Sequence, residues 1–255
     1  MLLHDSNDRL TVAALAVIAM CAVTAAHEAL GHGGVCLLLG GHIEILSSSI
    51  FRCDLRSAWI DAGGPLANLL VGVLAWAMRM ATPPGFARTR LLLLLVTAFS
   101  FFWEGGYLMR AMLIRDGDLY FFARLFFGEP SLAVRAAGFA IGLAIYALGA
   151  WNTARALSEM FDPREARNVA RIAWIAATAA AALAALAYRG QPLWPDVHDA
   201  VLEIGLASVP LLFIPRERHA SAQGRAIIGR SYLFVALALV VIATFAATLG
   251  RGIGA

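Results

Sequence analysis

Hydrophobic residues along the chain gather into long runs separated by short stretches rich in arginine, proline and glycine. Six runs reach the roughly 20 residues that cross a bilayer as a helix: Leu10 to Leu39, Ala58 to Met80, Leu91 to Ile114, Ala133 to Leu157, Val169 to Tyr188 and Tyr232 to Leu249. Val197 to Ile214 is a weaker seventh, interrupted by Asp199, Glu203 and Pro210. Within lipid each segment must satisfy its own backbone polar groups, which selects helices. The fold expected is therefore all-α: a polytopic transmembrane helical bundle of six or seven spans. The first run is too long for a secretory leader, lacks a small-residue cleavage site and holds polar chemistry of its own, so it reads as a span.

Two connections break the pattern. Between the first two spans, the run from His42 to Phe51 partly alternates and is rich in β-branched residues, which predicts a short surface strand or hairpin after the first helix. After the third span, Asp116-Gly117-Asp118 opens an aromatic, amphipathic stretch to Phe127, expected to lie in the membrane interface.

Composition agrees. Of 255 residues 60% are hydrophobic and 15% charged, with mean hydropathy +0.74, which excludes an ordinary soluble domain. All 20 basic residues are arginine, giving a net charge of +3; they lie mainly in the connections, where they meet anionic lipid headgroups or orient the chain. Nothing resembles a nucleic-acid patch, and the partner expected from this composition is membrane lipid. With seven spans, Arg9, Arg79, Arg88, Arg90, Arg155, Arg164, Arg167, Arg171, Arg216, Arg218, Arg225 and Arg230, 12 of the 20, share the side of the N-terminus. Three cysteines, Cys21, Cys36 and Cys53, lack a CxxC spacing. Their odd number predicts no disulfide framework, and Cys21 reads as a small buried apolar residue.

The candidate chemistry sits inside the apolar runs, where ionisable groups are costly and point to function. The first run holds His27-Glu28-Ala29-Leu30-Gly31-His32. Zinc peptidases carry His-Glu-x-x-His, with two ligands at i and i+4 and the glutamate as general base; here there is one residue more. In a regular helix residues i and i+4 lie about 40° apart, and i and i+5 about 140°. Three readings stay open. A π-bulge near Gly31 would bring His27 and His32 together; a regular helix would instead pair Glu28 with His32 and continue the stripe to Cys36; or no metal binds. The second span carries Gly63-Gly64-Pro65 and Asn68, where proline kinks the helix and the glycines admit another backbone. The third carries Trp103-Glu104-Gly105-Gly106, in which Glu104 is the only acidic residue of the apolar run and could pair with an arginine such as Arg110. His198 and His219 stand near segment ends and read as interfacial. From Leu132 onward no cluster reads as chemistry.

Taken in order, these three elements resemble the site-2 protease class of intramembrane zinc metalloproteases, the M50 group. There a His-Glu-x-x-His helix is followed by a surface β element, a Gly-Pro-x-x-Asn helix and a later Asp-Gly motif that supplies the third ligand. The resemblance covers roughly residues 10 to 120. It implies a core over 1–128 with additional transmembrane helices over 129–255, Zn2+ held by His27, His32 and Glu104 (glutamate in place of aspartate), and Glu28 as catalytic base. It also implies Asn68 as a group that positions substrate, and a transmembrane or membrane-adjacent protein segment as that substrate. The alternative is a catalytically degenerate relative acting as a binding scaffold, or as a metal-binding or transport protein. A histidine-box di-iron oxidase needs more histidines than the six present. The membrane expected is a bacterial-type inner or plasma membrane.

Overall fold

The computed structural model describes residues 7–190, 193–213 and 226–254. Helix α1 (Arg9–Ala25) runs through a π-helical segment (Ala26–Gly33) into α2 (Gly34–Leu38), so that Arg9–Leu38 forms one long rod. A hairpin follows, β1 (Ile43–Leu46) antiparallel to β2 (Phe51–Cys53), with an irregularity between Ile43 and Ile45. The remaining elements are α3 (Ala58–Ala81), α4 (Ala87–Ile114), α5 (Asp118–Phe127), α6 (Leu132–Met160), α7 (Pro163–Ala185), α8 (Leu193–Ala200) and α9 (Tyr232–Phe245). Six helical segments among the described residues are long and apolar enough to cross a bilayer, and the protein is an all-α membrane protein with one small hairpin.

The helix ends follow local chemistry. Asp8 caps α1, accepting from the Thr11 amide at 2.9 Å and its hydroxyl at 2.8 Å, as N-cap carboxylates do. Asp162 caps α7, with Pro163 in its first turn. The polar sequence Asp162-Pro163-Arg164-Glu165 is thus the start of a helix, and α7 begins six residues before the apolar run at Val169. Proline is tolerated there because its missing N–H would have had no partner.

Packing relies on small residues, as expected where lipid removes the hydrophobic drive between helices. Gly105 of α4 faces Gly142 of α6 so closely that a Cβ on either would lie 2.8 Å from the other's carbonyl oxygen. Helix α7 buries Ala166, Ala173, Ala177 and Ala184, and it packs against α1. One hydrophobic core extends from Val12 to Leu249. Leu66, Leu70, Leu74 and Met78 of α3 and Leu233 and Val240 of α9 are exposed, which suits lipid-facing surfaces.

Backbone pairing sorts the ends of the bundle. At one end Asp8 N–H donates to the Ile228 carbonyl and Ala226 N–H to that of Met160. At the other, Leu46 of the hairpin pairs with Ile253, and Arg189 N–H donates to the Arg251 carbonyl. Leu193–Phe213, lying between these ends in sequence, packs along α7: Trp174 Nε1–H donates to the Gly205 carbonyl at 2.8 Å. This is the weaker seventh run, built as α8, a π segment (Val201–Leu206) and a 3-10 turn (Val209–Phe213) rather than one regular helix. Ile214, the sequence Pro215 to Arg218 and His219 lie outside the described residues.

Two of the three cysteines pair, contrary to the expectation from their count. Cys36 and Cys53 form a disulfide with Cα atoms 6.2 Å apart, and Cys21 stays free and buried. The hairpin folds β2 back against the end of α2, a juxtaposition that spacing alone does not reveal. The pairing also removes Cys36 from any stripe with Glu28 and His32.

Candidate metal centre

The extra residue between the histidines is absorbed by the π segment Ala26–Gly33, where Gly34 N–H donates to the carbonyl of Ala29, five residues back. His27 and His32 consequently face each other with their Nε2 atoms 3.1 Å apart. Helix α3 comes close enough to enclose them because of paired glycines. A Cβ at Gly31 would lie 2.5 Å from the Gly64 Cα, and one at Gly64 would lie 2.3 Å from His32 Nε2 and 2.7 Å from His27 Nε2.

The other ring nitrogens are fixed from behind. His32 Nδ1 lies 2.7 Å from the Ile60 carbonyl oxygen; a carbonyl only accepts, so this nitrogen carries the hydrogen. His27 Nδ1 lies 2.8 Å from Glu104 Oε1, which also accepts from Asn68 Nδ2 at 2.7 Å, while the Ser100 hydroxyl donates to Asn68 Oδ1 at 2.8 Å. The chain Ser100, Asn68, Glu104, His27 thus orients an imidazole, as carboxylate partners do behind metal ligands. Trp103 stacks on His27 with centroids 4.5 Å apart, and Phe51 on His32 at 5.3 Å.

The third corner belongs to Asp118. Gly117 turns the chain at φ +102°, a conformation that favours glycine, and Asp118 then opens α5 with its amide donating to the Tyr107 hydroxyl at 3.2 Å. Its Oδ2 lies 3.2 Å from His32 Nε2 and 3.5 Å from His27 Nε2. Burial alone would raise this carboxyl, but in the metal-free site the facing His32 and His27, as protonated imidazoliums, outweigh it and hold the group well below the usual carboxylate range.

The three atoms fit a divalent metal. Ligands about 2.0 to 2.1 Å from a tetrahedral zinc stand about 3.3 Å from one another, and the edges here are 3.1, 3.2 and 3.5 Å. With both Nδ1 atoms engaged as donors, two nitrogen lone pairs and a carboxylate converge where a cation would sit. Beside them Glu28 is buried, and its Oε2 has no hydrogen-bond partner. Glu28 lines a cavity of about 230 Å3 together with His27, His32, Tyr107, Asp118 and Glu203.

Of the residues singled out in the sequence, His27, Glu28 and His32 come together around this cavity. Glu104 does not reach it as a third ligand: its Oε1 meets the far nitrogen of His27, and the short gap between them leaves that carboxylate orienting the ring. Asn68 is fully buried, bonded to Glu104 and Ser100, and absent from the cavity wall, so its place is behind the site rather than facing a substrate. Glu104 meets no arginine among the described residues. His198 is half-exposed beside Asp199 at 3.1 Å. Asp118 and Glu203 are the participants that residue patterns leave hidden. The signal for Asp118 is the Gly117-Asp118 pair opening an interfacial helix just after a span. No family model, curated protein or solved structure matches the chain.

Proposed function

We propose that the protein is an intramembrane zinc metalloprotease, resembling the site-2 protease class, that cleaves transmembrane or membrane-adjacent segments of other proteins in a bacterial-type inner or plasma membrane. The observation that carries this reading is the convergence of His27 Nε2, His32 Nε2 and Asp118 Oδ2 beside the buried Glu28, whose Oε2 has no hydrogen-bond partner. His27, His32 and Asp118 would hold the ion; Asp118 occupies the role that the resemblance gives to an aspartate, and that the sequence order suggests for Glu104.

Zinc, when bound, supplies Lewis acidity that polarises a carbonyl and acidifies water. The protein's own groups do the rest. Glu28 takes a proton from the water that attacks the scissile carbonyl carbon, and delivers it to the amide nitrogen as the C–N bond breaks. Glu104, held by Asn68, keeps the His27 hydrogen on Nδ1 and so leaves Nε2 free to donate its lone pair. The apolar rings of Trp103 and Phe51 cover the outer faces of the histidines and limit water around them.

Two measurements test the reading. Protein purified in detergent is expected to carry about one zinc per chain, to keep it in Glu28→Gln and to lose it in Asp118→Ala. Comparing membrane-protein fragments in cells expressing the native chain or Glu28→Gln should reveal products only with the native chain. Unchanged products from Glu28→Gln would overturn the assignment of the base. Zinc without any products would favour a metal-binding or transport protein on the same frame.

A further inference from the structure

A second cavity adjoins the candidate centre. It has a volume of about 210 Å3 and lies between α4, α6 and the irregular segment 193–213. Its walls are mainly apolar, including Trp103, Gly106, Tyr146 and Leu206, with Arg110 and Asp199 also in the lining as a pair of opposite charges, and it shares Tyr107 and Glu203 with the cavity that holds His27 and Glu28. Trp103 forms part of its wall while stacking on His27, so one ring separates the cleft from a candidate ligand. The far wall is anchored: the Tyr146 hydroxyl donates to the Ala207 carbonyl at 2.8 Å, tying α6 to the segment 193–213.

Neither the polar network behind the histidines nor the ligand set uses this space. A closed apolar cavity of about 150 Å3 accepts a benzene ring, so the cleft has room for one large apolar side chain. Its position beside the base and the histidines says where that side chain would come from. We infer that the cleft receives the apolar side chain of the residue adjoining the scissile amide, and thereby selects a leucine- or phenylalanine-sized residue there. The inference rests on the peptidase reading above and specifies its substrate. Most of this specificity wall comes from beyond residue 128, which gives the additional helices a part in choosing the substrate.

Gly106 provides the test. A Cβ there would meet only ordinary contacts, 3.6 Å from a Tyr146 ring carbon and 3.8 Å from the Ala207 Cβ, so a larger side chain fills the cleft without moving the backbone. The probes are peptide hydroxamates, which chelate zinc directly, differing only in one side chain: hydrogen, isobutyl, benzyl or carboxyethyl. Binding is measured on the full-length, zinc-loaded protein in detergent.

The isobutyl and benzyl compounds should bind about tenfold or more tighter than the hydrogen and carboxyethyl compounds, the scale on which apolar pockets discriminate. In Gly106→Leu that ratio should fall to about one at unchanged zinc content. Ala207→Leu narrows the cleft from the opposite side and should do the same, which keeps the test open if one variant fails to fold. Equal binding across the series on a zinc-loaded native chain, or a preference that survives both substitutions, overturns the cleft assignment alone. A native chain that binds no zinc, or a zinc-loaded one that ignores even the unsubstituted hydroxamate, overturns the peptidase reading and the cleft with it.

Discussion

A single methyl group decides whether the two histidines can meet. At residue 64 it would lie 2.3 Å from His32 Nε2 and 2.7 Å from His27 Nε2, distances that no rotamer adjustment of packed imidazoles absorbs cheaply. Gly64→Ala is therefore expected to abolish zinc binding while the bundle persists, and Gly85→Ala, in open space at a turn, to leave it intact; elemental analysis of both purified variants checks this. Glu104 acts in the opposite manner, through reach rather than absence. Glu104→Gln should weaken zinc affinity by about 10- to 100-fold, the usual cost of losing a carboxylate behind a ligand, whereas Asp118→Ala should eliminate binding. If Glu104→Gln proved the more damaging of the two in a zinc titration, the ligand assignments would exchange places. The sequence carries the type of each of these residues but not its direction: both glutamate and aspartate can ligate zinc, and only the fold shows which carboxylate meets Nε2 and which Nδ1.

At the scale of the element, the π segment does what the letters between His27 and His32 require. Its extra residue is accommodated locally, and Leu30, 68% exposed and facing outward, is the one whose removal disturbs the least packing. Deletion of Leu30 should therefore convert the turn to regular α-helix, set the histidines at i and i+4, and preserve both zinc and the Cys36–Cys53 disulfide. Insertion of an alanine after Leu30 should separate the rings by about another 100° and lose the metal. A zinc assay on the two length variants distinguishes them, and loss of metal in the deletion would show that the wide turn itself shapes the site. The spans are legible in the sequence because hydropathy alone specifies a helix in lipid. The segment 193–213 is legible only in part, for the same reason that makes it useful: Glu203, which breaks its apolar run, lines the site cavity, and Pro210 falls in its terminal 3-10 turn. The site is legible as far as the helix that carries three of its groups, and Asp118 escapes because an interfacial aspartate looks like any other helix-opening residue.

For the molecule as a whole, the disulfide predicts an orientation that hydropathy leaves open. Cys36 and Cys53 lie at the hairpin end, opposite the end where Asp8 pairs with Ile228. Disulfides persist in oxidising compartments and are rare in the cytosol, so the hairpin end, and the candidate metal centre beneath it, should face away from the cytoplasm. The sequence expectation agrees: with seven spans, 12 of the 20 arginines would share the side of the N-terminus, the side that the positive-inside rule assigns to the cytoplasm. Substrate would then reach Glu28 from the outer face of the membrane. In intact cells a membrane-impermeant maleimide should leave Gly85→Cys unlabelled until the cells are opened, because Gly85 sits in the exposed turn joining α3 and α4 at the N-terminal end. Alkylation of the native chain under denaturing conditions should find one free thiol, Cys21, and two more only after reduction. Labelling of Gly85→Cys in closed cells, or three free thiols before reduction, would reverse the orientation and return the site to the cytoplasmic face.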